Sequence, residues 1–184
     1  MPYIAVIGLL AGCLALATHV VDADAQCTID PPSSVASGVS ANPQEGLGQS
    51  FTPCEGGFVT RISLSVLGAS SGPVKLGLQA GINLAAPSYS QSVRFVTGSN
   101  TITLAAPFRV TPGTLYSFGL VPTAGSLEVG YHDESPYEDG TLVQSDGTFS
   151  GPRAGDLVFT VEIASGVPGS PAPSTWGAIK AMYR

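Results

Sequence analysis

The chain has 184 residues, 11% of them charged and 43% hydrophobic, with 23 Gly and 15 Pro. Disordered chains pair high charge with few apolar residues, so this composition excludes disorder and instead suits a β-rich domain with many tight turns. A net charge of −6 without any basic run excludes a phosphate-binding surface, and with it nucleic acid as a partner.

Residues 1–25 form an apolar run that ends in Ala23-Asp24-Ala25. That is the shape of a secretory signal peptide cleaved before Gln26, although only the α-amino group is positive ahead of the run. Export machinery is then a partner, and no permanent transmembrane span remains after cleavage. The rival reading is a retained span, since the run approaches membrane-spanning length. Within the run, Leu10-Ala11-Gly12-Cys13 resembles the lipobox of bacterial lipoproteins, which implies acylation at Cys13 as the alternative to a secreted or cell-surface protein.

Cleavage leaves two cysteines, Cys27 and Cys54, and an even count in an exported chain reads as one disulfide. Closing a loop of about 28 residues stabilises the fold by roughly 3–4 kcal/mol in the chain-entropy picture. Two thiols and one distant histidine do not complete a tetrahedral metal shell. Residues 26–46, rich in Pro, Ser, Gly and Asn, read as an N-terminal loop.

Period-2 alternation then takes over. It places Ile62, Leu64 and Val66 on one face, then Val74, Leu76 and Leu78, then Tyr89, Val93 and Phe95. Short strands are predicted at Thr101–Leu104 and Phe108–Val110. Thr111-Pro112-Gly113 is a turn, followed by inward Tyr116, Phe118 and Leu120, and by Leu127, Val129 and Tyr131. Asp139-Gly140 and Asp146-Gly147 carry hairpin turn chemistry. The closing strand aligns Leu157, Phe159, Val161 and Ile163. Roughly eight or nine such strands and no helical period predict an all-β fold over residues 47–165, an antiparallel β-sandwich of jelly-roll type.

The densest polar cluster runs from Tyr131 to Gly140. Its carboxylates Asp133, Glu134, Glu138 and Asp139 are candidate calcium ligands, calcium being the one cofactor the sequence suggests, because calcium takes six to eight oxygens. A solvated acidic hairpin is the plainer reading. Tyr131 and Tyr137, flanking the cluster, are candidate platforms for a glycan. No catalytic residue is assigned. After signal cleavage His132 is the only histidine, and its neighbour Asp133 faces the other side of a strand and so cannot orient it. A small secreted hydrolase is the alternative, with Glu128, Glu134, Glu138 and Asp156 as available carboxylates and nothing to select a pair.

Residues 166–173 carry three prolines and read as an extended linker. Beyond it Ser174 or Thr175 caps a short helix that aligns Trp176, Ile179 and Tyr183, with Lys180 and Arg184 in the last turn. Such a segment is too short to hold a helix alone. It reads either as a face docked on the sandwich or as a tag for a sorting or anchoring partner.

Gly48-Gln49-Ser50-Phe51-Thr52, Gly57 to Leu64, Pro107 to Phe118 and Asp156 to Val161 resemble secreted bacterial β-sandwich modules of the choice-of-anchor type. The resemblance implies a surface or matrix component. Pro171-Ala172-Pro173-Ser174-Thr175-Trp176 resembles the start of the PEP-CTERM sorting signal, with Ala172 in place of Glu and without the apolar span found there. Together these readings predict an exported, non-catalytic structural or binding module, with calcium-dependent adhesion as a further alternative.

Overall fold

The computed structural model describes residues 25–30, 37–134, 137–145 and 150–165. The signal segment with Cys13, the Asp146-Gly147 turn, the linker 166–173 and the tail residues Trp176, Ile179 and Tyr183 lie outside them. The described strands belong to one compact unit and no helix occurs among them.

Strands whose side chains alternate apolar and polar have one face to bury, and two such sheets bury their faces against each other. The first sheet contains β1 (Ala25–Ile29), β2 (Ser37–Ala41), β4 (Gly57–Gly68), β7 (Gly98–Val110), β9 (Leu127–His132), β12 (Asp156–Leu157) and β13 (Phe159–Ala164). The second runs in the order β11 (Ser150–Arg153), β10 (Leu142–Ser145), β3 (Gly46–Phe51), β8 (Tyr116–Pro122), β5 (Val74–Ala80) and β6 (Tyr89–Val93). Every pairing is antiparallel. The result is the predicted antiparallel β-sandwich, its chain crossing repeatedly between sheets.

The alternating positions form the core. Ile62, Leu64, Val66, Val74, Leu76 and Leu78 are buried, as are Phe118, Leu120, Leu127 and Val129. Leu157, Phe159, Val161 and Ile163 complete it from the last strands. Burying each such side chain contributes about 1.5–3 kcal/mol.

Four expectations need correction. Residues 26–46 are not simply a loop, because β1 pairs with β13 and β2 pairs with β9. Thirteen strands are present among the described residues where eight or nine were expected. The segments Thr101–Leu104 and Phe108–Val110 are one strand, β7, running through Pro107. Proline is tolerated there because β7 pairs only with β4, and because the register of that pair shifts between Val59 and Arg61. Lastly, Asp139-Gly140 is no hairpin turn, since it joins β9 of one sheet to β10 of the other. Gly140 serves close packing instead: a Cβ there would run into the Ser50 carbonyl and the Tyr137 ring.

The turn Thr111-Pro112-Gly113 forms as predicted, with Gly113 at φ 71° and Thr114 N–H donating to the Thr111 carbonyl at 3.3 Å. Along one side of the sandwich, side chains of β6 satisfy the free edge of β7. The Ala105 N–H donates to Tyr89 Oη and to Gln91 Oε1, each at 2.9 Å, and Gln91 Nε2 donates to the Thr103 carbonyl. Occupying an edge in this way guards it against pairing with another chain.

Cys27 and Cys54 form a disulfide with a Cα–Cα distance of 6.1 Å. It ties edge strand β1 to the crossing between β3 and β4. Replacing both cysteines by alanine is expected to lower the unfolding free energy by about 3–4 kcal/mol. Urea titrations of the parent and the double variant check this, and the parent in reductant should fall to the variant's midpoint.

Candidate functional site

The acidic cluster lies where β9 leaves the first sheet. His132 ends β9 and pairs with Asp156, while Tyr131 pairs with Leu157. Asp133 and Glu134 follow, both exposed, and Glu138 and Asp139 are exposed in the turn before Gly140. Among the described residues no three His, Cys, Asp or Glu side chains gather where they would hold a metal ion. Thr52 Oγ1 donates to the Asp139 carbonyl at 2.9 Å, so the turn is anchored through its backbone.

Both flanking tyrosines are anchored within the domain. The Tyr137 ring packs edge-on against Phe159, centroids 5.7 Å apart, and its hydroxyl accepts the Thr52 N–H at 3.0 Å. Tyr131 donates its hydroxyl to the Ala154 carbonyl at 3.0 Å, and its ring fills the space beside Gly155, which sits at φ 93°. The two rings hold the β9–β10 and β11–β12 connections to the sandwich.

Behind this clamp is a buried polar network. Asp156 and Gln49 are both fully buried. Gln49 Nε2 donates to Asp156 Oδ1 at 2.7 Å, and Gln49 Oε1 accepts the Leu157 N–H at 2.9 Å. Asp156 Oδ2 accepts the Tyr137 N–H at 3.0 Å. Burial pushes the Asp156 carboxyl above its ordinary value, against the bonds from Tyr137 and Gln49 and the nearby His132, which favour the ionised form. Burial likewise pushes the Tyr137 hydroxyl up; the Thr52 amide opposes this, and Asp139 and Asp156 add to it.

The carboxylates considered for hydrolysis are spread apart. Glu128 lies along β9 over Gly38 and Gly68, Glu134 and Glu138 are exposed, and Asp156 is sealed in the core. Three surface cavities of about 190, 260 and 280 Å³ have between them one carboxylate in their linings, Asp30.

Gln49 is the site residue that sequence reasoning passed over. Its signal was present: in Leu47-Gly48-Gln49-Ser50-Phe51 it occupies a slot whose neighbours at two residues' distance are core side chains. A polar residue in an apolar period implies a buried partner. Compared with known proteins, the chain matches no family model and no curated relative.

Asp156→Asn places an amide NH₂ against a donor, either the Tyr137 N–H or the Gln49 amide, and is expected to cost about 1–3 kcal/mol. Because the folded-state pKa of Asp156 is raised, its proton-linked stabilisation is full below 3.8 and is lost as pH rises through the raised value. The gap between parent and variant is therefore widest in acid and narrows with rising pH. Urea titrations of both proteins from about pH 3 to about pH 8 check this sign. A gap that widens with pH would mean that the folded state prefers the ionised carboxylate.

Proposed function

We propose that this chain is an exported, non-catalytic structural or binding module of the cell surface or extracellular space. In this reading residues 1–25 direct export, and the tail bearing Trp176, Ile179 and Tyr183 is a sorting or attachment segment read by a partner. The observation that carries the proposal is the Cys27–Cys54 bond. Disulfides of this structural kind form and persist in oxidising compartments outside the cytosol. Supporting it, the tyrosines and Asp156 around the acidic connection are engaged in holding strands together.

The test is the intact mass of the native protein from each cellular fraction. The expected species is soluble, begins at Gln26 and is two hydrogens lighter than its reduced form. A species acylated at Cys13 in the membrane fraction would replace the soluble reading with a lipoprotein. A full-length, reduced species in the cytosol would overturn export.

A further inference from the structure

Three central strands of the second sheet carry glycine at one level. Gly48 of β3 pairs with Gly119 of β8, which pairs with Gly77 of β5. Their chain neighbours Leu47, Phe118 and Leu76 fill the core, so the glycines lie on the outer face and open a trough across it. Residues 81–88 fold into this trough. A Cβ on Gly119 would stand 2.8 Å from Leu84, and one on Gly77 would stand 2.8 Å from Pro87.

The loop does not fill the trough. A groove of about 190 Å³ remains beside the loop, with Gly46, Gly77 and Gly119 in its lining. Leu84, Pro87, Pro43 and Val121 contribute its apolar surface. Lys75 is the one charged residue in its lining, and Gln44 adds an amide. Lys75 is exposed and takes part in no ion pair among the described residues. In a chain of net charge −6, the lining of this groove holds a cation and no carboxylate.

We propose that the groove binds a carboxylated sugar ring, a uronic-acid unit of an acidic polysaccharide. An apolar cavity of about 150 Å³ holds benzene, so this one has room for a six-membered ring and a substituent. Leu84 and Pro87, which lie over Gly119 and Gly77, present the apolar surface that meets the ring's C–H groups. The Lys75 ammonium, a compact point charge, takes the carboxylate. An acidic peptide fits less well. Strands β3, β8 and β5 are each paired on both sides and offer no edge for strand addition.

This inference gives a ligand to the exported module proposed above and rests on that reading; the mass measurement tests export independently of ligand binding. The experiment titrates the full chain with an oligogalacturonate, with its neutral methyl ester and with an oligoglutamate, followed by calorimetry. The acid oligomer is expected to bind about five- to tenfold tighter than the ester. Lys75→Gln should erase that preference and Lys75→Arg should keep it. Ala85→Trp, at an exposed position of the groove wall, should abolish binding of both sugars with an unchanged thermal melt. Equal affinity for acid and ester, indifference to Lys75→Gln, equal binding of oligoglutamate, or no binding at millimolar ligand would each overturn the proposal.

Discussion

A buried amide–carboxylate pair holds the two sheets of this sandwich in register. Gln49 projects inward from β3 of the second sheet, and Asp156 begins β12 of the first. The single amide of Gln49 reads both the Asp156 side chain and the Leu157 backbone, so it fixes where β12 starts as well as what it faces. An apolar contact does not set position to one residue in this way, because apolar attraction is non-directional. A buried donor or acceptor left unpaired costs about 1–3 kcal/mol, which penalises any slip of the strand.

The placement of β12 governs the rest of the closing segment. One residue later the chain changes partners: Val158 N–H donates to the Gly130 carbonyl of β9, and the Val158 carbonyl accepts the Ser65 N–H of β4. From Phe159 onward β13 runs along β4 and receives β1, which the disulfide ties to the β3–β4 crossing. On its other oxygen Asp156 holds the Tyr137 amide, and Tyr137 in turn holds Thr52 at the end of β3. The acidic cluster is thus carried on a connection whose anchor points are all internal to the fold.

Much of the fold was legible because burial on one face imposes a period of two, and Ile62 to Val66 and Leu157 to Ile163 follow it without interruption. Strand β2 was not legible: of its five residues only Val39 is a large apolar group, and its place is set by backbone bonds to β9. Pro107 reads locally as a strand breaker, and only its position on an edge, a tertiary fact, makes it tolerable. The candidate site was half legible. The density of Asp133, Glu134, Glu138 and Asp139 is plain in the sequence. That Tyr137 and Asp156 turn inward beneath them depends on Gln49, 107 positions away from Asp156 along the chain.

Hydrogen exchange at two amides, Leu157 and Tyr137, tests the central role of the Gln49–Asp156 pair most directly. Both are backbone donors whose acceptors are side-chain oxygens of that pair. If the pair anchors the sandwich, both amides exchange through openings as costly as those of the central strands β4 and β8. Exchange at the rate of exposed loop amides, with β4 and β8 still protected, would contradict it.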